Sequence, residues 1–319
     1  MNAEPRVSVV IPTFNRAHQV YEAIESALAQ TWRAAEVIVV DDGSTDNTRE
    51  VVARYRDRVR YIYQENRGVS AARNAGIRIV QGSHIAFLDS DDLWVPGKLE
   101  AQMALFAEHP ELGLVSCHSR FVDVHGVPTQ GDPSAIEPPI AEGRPLLRRL
   151  LLGNWLSGGS NAVVRRAPLD AVGGFDERLS CAEDWDMWIR IAQRFAIGFV
   201  NEPLTISRVS ANSLSAPANV AAMLENELRM LDKHCSAADG GVGSWDRRMA
   251  YAERYGRAAW AHLAIGNRRL ARRFIIKSLA VSPEHFVTQR GFVLSLMRVM
   301  VGERTFEFAK RHTGRRNLR

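Results

Sequence analysis

Three carboxylates stand within four positions at the end of an apolar run, in the octapeptide IAFLDSDD at residues 85–92. Carboxylates this close together are unfavourable unless a cation neutralises them. Asp oxygens suit Mg²⁺ or Mn²⁺, which also take phosphate oxygens as ligands. The alternative is structural: the acids form a polar turn, and Asp92 caps a helix that carries Leu99, Met103 and Phe106. The octapeptide therefore predicts a strand that ends in a cation site or in a helix cap.

The surrounding pattern predicts an open, mostly parallel α/β sheet flanked by helices. Apolar, β-branched runs occupy residues 7–11, 36–40 and 59–63. Helical periodicity at 17–30 and 71–80 separates such runs, and the acid-tipped strand follows. Sheets of this kind bind ligands beyond the carboxyl ends of their strands. The polar residues expected to meet there are Thr13, Asp41, Asp42, Asn66, Arg67, Asp89 and Asp91.

Two common phosphate-binding motifs are absent from the sequence. The first predicted strand is followed by PTFNR at residues 12–16, and not by the glycine-rich turn of a dinucleotide-binding domain. A Walker A sequence is missing as well. Without such glycines the backbone amides cannot wrap a pyrophosphate. Any diphosphate is therefore expected to be held by the acid cluster through a divalent cation.

Several motifs resemble, in order and spacing, those of the family two inverting glycosyltransferases, which have the GT-A fold. They are VSVVIPTFNR at 7–16, VIVVDDGSTD at 37–46, N-x-G-x-x-x-A-R-N-x-G at 66–76, FLDSDD at 87–92, RRAP at 165–168, GGFDE at 173–177 and EDWDMWIR at 183–190. The resemblance covers about residues 5–215. It implies a Rossmann-like sheet of the kind that binds nucleotide-diphospho-sugars.

The resemblance also implies a reaction, namely transfer of a sugar from a nucleotide-sugar, most often a UDP-sugar, with inversion at the anomeric carbon. The implied donor-binding residues are Pro12, Thr13, Asp41, Asp42, Arg67, Arg73, Asp89 and Ser90. Asp91, with Asp89, would hold Mn²⁺ or Mg²⁺ on the diphosphate. Asp184 would be the general base, and the acceptor side would include Gly159, Ser160 and Glu183. The implied acceptor is a hydroxyl of a glycan or of a lipid-linked molecule.

Some of these residues also have a plain structural interpretation. Glu183 and Asp184 also fit the simpler interpretation of acids at a helix N-terminus, where their charge interacts favourably with the helix dipole. Gly158 and Gly159 allow the backbone to approach a sugar, or simply form a turn. Ser210 stands where members of the family often have a histidine metal ligand, so the sequence predicts weaker or water-completed metal binding.

Charge divides the chain into two parts. Of 41 Lys or Arg and 36 Asp or Glu in the chain, 17 basic but only 5 acidic residues lie at 240–319. We predict a catalytic domain at residues 1–235, interrupted by a proline-rich loop at 127–145, and a basic α-helical module at 236–319. The module should contain a helical hairpin and a further amphipathic helix at 286–301. A basic module seeks phosphate, so it either docks on an anionic inner-leaflet surface or forms a solvated helical cap.

The remaining features concern location and rival functions. The chain is 46% hydrophobic, as globular proteins are, and no apolar run reaches the ~20 residues that span a bilayer. Three scattered cysteines and no secretory signal predict a cytoplasmic protein, peripheral on the inner membrane face at most. Two rivals stay open: a nucleotidyltransferase, which would need a glycine-rich loop, and a non-catalytic nucleotide-sugar-binding module. Nucleic acid is not a predicted partner, because the basic tail lacks interleaved aromatic residues.

Overall fold

The computed structural model describes residues 5–123, 125–129, 136–209, 219–236 and 242–284. The chain forms two compact units: the first contains Met1–Leu150 and Asn154–Ala211, and the second contains Leu151–Gly153 and Asn212–Arg319. The units therefore divide after Ala211, whereas the predicted domain boundary followed residue 235. They divide earlier because the helix Val220–Ser236 packs against the helix that follows it in the second unit.

Strands and helices alternate through the first unit, as the periodicity predicts. The first elements are β1 (Val7–Thr13), α1 (Val20–Leu28), β2 (Glu36–Asp41), α2 (Thr48–Ala53), β3 (Arg60–Tyr63), α3 (Val69–Ile79) and β4 (His84–Phe87). The next are β5 (Leu93–Trp94), α4 (Lys98–Glu108), β6 (Leu112–Val122), β7 (Ile140–Ala141), α5 (Gly143–Leu152), β8 (Val163–Arg165), α6 (Arg166–Val172), α7 (Glu183–Ala192) and β9 (Ala196–Arg208).

Among the described residues, nine strands form one sheet in the order β3-β2-β1-β4-β8-β6-β9-β5, with β7 paired to β9. β3, β2, β1 and β4 are parallel to one another, and so are β6 and β9. β8 runs antiparallel between β4 and β6. The predicted open, mostly parallel sheet is confirmed, and the carboxyl ends of β1 to β4 lie at one edge.

The helix that carries Arg73 packs very closely on the sheet. α3 lies against β1, whose seven residues are all buried. A methyl group added at Gly76 would lie 2.4 Å from Val10 Cγ1, well inside contact distance. The glycine that ends the N-x-G-x-x-x-A-R-N-x-G motif therefore sets the depth of α3, and with it the position of Arg73 relative to the strand tips.

Two parts of the first unit differ from the prediction. Asp92 does not cap a helix: α4 begins at Lys98 with Gly97 as its N-cap residue, and β5 intervenes. The predicted loop at 127–145 is partly regular structure, because β7 pairs with β9 and α5 begins at Gly143; its residues 130–135 lie outside the described part. Both differences arise from pairing with β9, a distant partner that local composition cannot indicate.

The second unit is helical over its described residues, with α8 (Val220–Ser236), α9 (Ser244–Ala264) and α10 (Arg268–Val281). The connection from α9 to α10 uses Gly266, whose φ is 76°, and Asn267, whose Oδ1 accepts a hydrogen bond from the Leu270 amide at 3.2 Å. The predicted hairpin is present, whereas the predicted helix at 286–301 lies outside the described residues. No described helix is both long and apolar enough to cross a bilayer.

Candidate active site

Asp42 organises the loop that follows β3. Its Oδ1 accepts hydrogen bonds from Gln64 Nε2 at 2.6 Å and from the Arg67 amide at 3.0 Å, and its Oδ2 accepts one from the Gly68 amide at 2.7 Å. Gly68 is the N-cap residue of α3 and has a φ of 90°. This buried carboxylate therefore fixes the start of the helix that carries Arg73, and it is largely occupied by protein donors.

Asp41 and Thr13 lie side by side at the tips of β2 and β1. Asp41 accepts hydrogen bonds from the Ser44 amide at 2.8 Å and from the Tyr61 hydroxyl at 2.7 Å. Thr13, which follows Pro12 in β1, is also buried, but its hydroxyl has no partner among the described residues. A buried hydroxyl without a partner suits a ligand that supplies one.

A buried arginine joins the acid at the tip of β4 to the first acid of α7. Only 3% of the Arg73 side chain is exposed; Nη2 donates to Asp89 Oδ1 at 2.6 Å, and Nη1 donates to Glu183 Oε1 at 2.5 Å. Burial alone would lower the pKa of Arg73, but the charges of Asp89 and Glu183 outweigh it and raise the pKa. The charged guanidinium therefore holds two acids from distant parts of the chain in one place.

The turn on the predicted acceptor side touches this bridge directly. A Cβ added at Gly159 would lie 3.2 Å from Arg73 Nη2. Ser160, in the same 3₁₀ turn (Gly159–Asn161), accepts a hydrogen bond from the Asp89 amide at 3.0 Å through its Oγ. Trp94 Nε1 donates to the Ser160 carbonyl at 2.8 Å. Gly159 and Ser160 thus lie beside Arg73 and Asp89.

Asp184 follows Glu183 in the first turn of α7 and is half-buried. The preceding residue, Ala182, has a φ of 62°, an uncommon conformation for a residue with a Cβ and one that often marks functional sites. Removal from water, and then the charge of Glu183, raise the pKa of Asp184 to about 7, although Arg73 acts in the opposite direction. Glu183 is engaged by Arg73, so Asp184 is the acid of this pair that can exchange a proton near neutral pH.

The other acids at the tip of β4 are crowded. Burial, and then the charge of Asp89, raise the pKa of Asp91. Burial, and then the charges of Asp89 and Asp91, raise the pKa of Asp92 well above its usual range. Asp91 pairs with Arg16 at 3.7 Å, and the charges of Arg16 and Arg208 oppose the rise in its pKa. Asp92 accepts long hydrogen bonds from the Arg208 amide at 3.3 Å and from the Ser207 hydroxyl at 3.4 Å. Asp91 and Asp92 are therefore held by longer contacts than Asp89, to which Arg73 donates at 2.6 Å.

The cluster fits a divalent cation whose coordination the substrate completes. In the part of the chain that the structure describes, no three or more His, Cys, Asp or Glu side chains form a metal-binding group. Mg²⁺ at phosphate substrates needs only one or two carboxylates, with waters and phosphate oxygens as its other ligands. Asp91 suits this role better than Asp89, which Arg73 engages at 2.6 Å. Ser210, the residue in the histidine position, lies outside the described residues.

A buried polar network behind Ser160 was missed by the sequence analysis. Lys98 is fully buried; its Nζ donates to Gln102 Oε1 at 2.7 Å and lies 4.3 Å from the centroid of the Trp94 ring. Gln102 in turn donates to the Asn161 carbonyl at 2.8 Å. Burial lowers the pKa of Lys98 to about 8. Polar residues one helical turn apart among apolar neighbours of α4 are the sequence signal that could have revealed this support.

Not every predicted site residue lies in this central group. The Arg67 side chain is 61% exposed and pairs with Glu177 at 2.8 Å, while Ser90 is buried next to Asp89. Tyr61 and Gln64, which hold the Asp41 and Asp42 carboxylates, were not predicted. No local signal distinguishes these two from ordinary residues of a strand and its loop, because their role arises from the pairing of β2 with β3.

Two family models match the chain between residues 8 and 227. The family described as Glycosyl transferase family 2 matches residues 8–173, just over half of the chain, and Glycosyltransferase like family 2 matches residues 138–227. The chain belongs to glycosyltransferase family 2. It is 32% identical over 210 residues to an uncharacterized glycosyltransferase of Rickettsia prowazekii, a match that covers 65% of each chain. It is also 27% identical over 235 residues to the chondroitin synthase of Escherichia coli, covering 73% of this chain and 33% of the synthase.

The match spans between 30% and 65% of the length of the similar Rickettsia proteins. Two solved structures resemble this one over most of its length. TarS 1-349 of S. aureus in complex with UDP-GlcNAc has a TM-score of 0.57 and 21% identity, covering 89% of this chain and 92% of that chain. The mannosyltransferase PcManGT of Pyrobaculum calidifontis in complex with GDP-Man and Mn²⁺ has a TM-score of 0.60 and 21% identity, covering 92% and 81%. These neighbours show that the family 2 chain has the GT-A fold.

Proposed function

We propose that the first unit transfers a sugar from a nucleotide-sugar, preferably a UDP-sugar, to a hydroxyl of a glycan or lipid-linked acceptor, with inversion at the anomeric carbon. The observation that carries this proposal is the Arg73 bridge, which holds Asp89 beside the Glu183–Asp184 pair. Displacement of a diphosphate by a hydroxyl needs one carboxylate that holds the leaving diphosphate through a cation and another that accepts the proton of the attacking hydroxyl. Both must lie within reach of the bound donor and acceptor.

The proposed reaction is a single in-line displacement. The Asp184 carboxylate accepts the proton of the acceptor hydroxyl while that oxygen forms its bond to the anomeric carbon. The bond from this carbon to the diphosphate oxygen breaks, and its electron pair leaves with the nucleoside diphosphate. A pKa of about 7 suits Asp184 to this task, because general bases work best when their pKa is near the working pH. Such assistance is typically worth ~10² to 10⁴ in rate.

On the donor side, the strand tips would hold the nucleotide and orient its diphosphate. The buried hydroxyl of Thr13 would form a hydrogen bond with the nucleotide, and Asp42 fixes the conformation of the loop after β3. Asp91 would hold Mn²⁺ or Mg²⁺, which acts as a Lewis acid toward the leaving diphosphate when bound. The structural neighbours that hold UDP-GlcNAc, or GDP-Man with Mn²⁺, support a nucleotide-sugar donor and a divalent metal.

We also propose that the chain works in the cytoplasm, at the inner face of a membrane. This part rests on the basic character of the second unit and is independent of the catalytic geometry. Sugar transfer is then assigned to the first unit and membrane docking to the second.

The substitution Asp184→Asn tests the proposed base. In incubations with a panel of nucleotide-sugars and Mn²⁺, release of nucleoside diphosphate should fall at least ~10²-fold, because the acceptor's proton loses its carboxylate. Donor affinity measured by calorimetry should change little. Asp170→Asn is the matched control: Asp170 lies on α6, is exposed and pairs with Arg166, and this variant should keep its activity. A fully active Asp184→Asn variant would overturn the assignment.

The same assay separates the rival functions. A nucleotidyltransferase would instead consume a nucleoside triphosphate and a sugar phosphate and release pyrophosphate. A binding module would be stabilised thermally by a nucleotide-sugar without turning it over on any glycan or lipid-linked acceptor. The configuration at the anomeric carbon of the product, read by NMR, tests inversion.

A further inference from the structure

The outer face of α10 is basic around one apolar side chain. Its six residues are all exposed and line one groove: Arg268, Arg269, Arg272, Arg273, Ile276 and Lys277. The helix contains no acidic residue. Positions three and four residues apart are neighbours on a helix surface, so these side chains form one continuous patch. We call these six residues the basic face.

The opposite side of α10 holds the helical hairpin together. Ala271, Ile275 and Ser278 are buried, and Ile275 packs against Ala259 of α9. Ser278 Oγ donates a hydrogen bond to the Ala252 carbonyl at 2.8 Å. Because this side packs on α9, folding of the hairpin leaves the basic face exposed, and at its edge the Lys277 Nζ lies 5.4 Å from the ring centroid of Tyr255 on α9.

The chemistry of the basic face fits a lipid surface better than a nucleic acid. Ile276, in the middle of the face, is 65% exposed. Two further large apolar side chains near the end of α9 are exposed as well, Trp260 at 56% and Ile265 at 54%. Cations around an exposed Ile are typical of a helix that lies in a membrane interface, where its apolar side chain reaches the acyl boundary. Nucleic acid would favour aromatic residues among the cations for base stacking, and the basic face has none.

We propose that the basic face of α10 docks the second unit on an anionic lipid bilayer. Its five cations would meet headgroup phosphates, and Ile276 would enter the boundary between headgroups and acyl chains. Each cation near such a surface changes the affinity about fivefold. The proposal rests on the membrane association proposed above and does not depend on the chemistry at Asp184.

Vesicle sedimentation with the full chain tests the proposal. We expect binding to phosphatidylcholine vesicles that contain about one third phosphatidylglycerol, no binding to phosphatidylcholine alone, and a steep loss of binding with salt. The double variant Arg269→Gln/Arg273→Gln should bind the anionic vesicles about 25-fold more weakly. Ile276→Ser should bind several-fold more weakly and retain the salt dependence, because it removes apolar contact and no charge.

A matched control distinguishes an effect of the basic face from an effect of the total charge. Arg229→Gln/Arg257→Gln also removes two exposed arginines from the second unit, where they pair with Glu225 on α8 and Glu253 on α9. It should bind vesicles as the unchanged chain does. All of the surface variants should keep their helical content by circular dichroism and their nucleotide-sugar turnover.

The outcomes distinguish three failures. Equal weakening by both double variants would overturn the assignment to α10 and leave only a general charge effect. If the unchanged chain does not bind anionic vesicles, the role of the basic face and the proposed membrane association are both wrong. The proposed sugar transfer is not affected by that result. Tighter binding to a single-stranded RNA homopolymer than to anionic vesicles would overturn the choice of a lipid partner.

Discussion

The pair Asp41–Asp42 and the pair Asp91–Asp92 both lie at or just beyond the carboxyl end of a buried strand in the parallel half of the sheet, yet their surroundings are opposite. Asp42 accepts three hydrogen bonds of 2.6 to 3.0 Å, and Asp41 accepts two of 2.7 and 2.8 Å. Asp91 lies 3.7 Å from Arg16, and Asp92 accepts two hydrogen bonds of 3.3 and 3.4 Å. The pKa of each is raised, chiefly by burial. One sequence pattern thus produces a scaffolding pair and an electrostatically unsatisfied pair.

The backbone after each strand explains the difference. After β2, Gly43 has a φ of 86°, and the turn presents the Ser44 amide to Asp41. After β4 the chain passes almost at once into β5, and the described residues offer Asp91 no comparable amide from a neighbouring loop. Acids left in this state lower stability, and a cation or a substrate that neutralises them recovers it. The comparison therefore supports a scaffolding role for the first pair and the proposed ligand-binding role for the second.

Asp91→Asn should have the largest effect, on activity and not on stability. Loss of a carboxylate that holds the metal should reduce turnover by about 10²-fold or more. The melting temperature should stay the same or rise, because the raised pKa means that the folded chain disfavours the ionised form of Asp91. Thermal denaturation and a nucleoside diphosphate release assay check this. A variant that melts lower and keeps its activity would place Asp91 with the scaffolding acids.

Asp42→Asn should be destabilising, by about 2 kcal/mol, because an amide cannot accept from all of the buried donors that the carboxylate serves. Donor affinity should fall with it, since the start of α3 would shift. Asp92→Asn is the matched change at the other strand tip and should leave the free energy of unfolding unchanged or higher. Urea denaturation measures both variants, and equal destabilisation would remove the distinction between the pairs.

Activity should depend on the ionisation of Asp184. Because the base must be unprotonated, kcat/KM should rise about tenfold per pH unit up to about pH 7 and level off above it. The folded-state pKa is raised above its reference value of 3.8, so the stability contributed by protonated Asp184 is present at acid pH and is lost as the pH rises to about 7. Relative to Asp184→Asn, the chain should therefore lose stability across that window. A flat activity profile from pH 5 to pH 8 would contradict Asp184 as the base.

Gly159→Ala should have the smallest effect, about 1 kcal/mol or less in stability. The new methyl would lie 3.2 Å from the end of the Arg73 side chain, which can move by a few tenths of an ångström. Gly158→Ala is its control, because nothing lies within 4 Å of a methyl there. Turnover should fall for Gly159→Ala alone if the Arg73 position matters for catalysis. Identical behaviour of the two variants would show that the bridge tolerates displacement.

Much of the fold was predictable because it depends on local patterns. Buried β-branched runs specify β1 and β2, and parallel connectivity brings their polar ends to one edge. The role of Asp92 was predicted wrongly because a polar residue before a helical pattern looks like a cap, and β5 was too short to recognise. Lys98 was overlooked because composition alone does not show that a lysine is enclosed by Gln102 and the Trp94 ring.

The sequence by itself determined the parallel sheet, the acids at its edge and the basic composition of the later helices, because each follows from residue type and spacing along the chain. Only the tertiary structure decided which acids are satisfied. Arg73 binds both Asp89 and Glu183, which is 110 positions away from Arg73 in the sequence, and Gly76 allows the close packing of α3 on β1 that positions Arg73. Hydrogen bonding and burial are set by distant neighbours, so they separate a scaffolding acid from a reactive one where sequence pattern cannot.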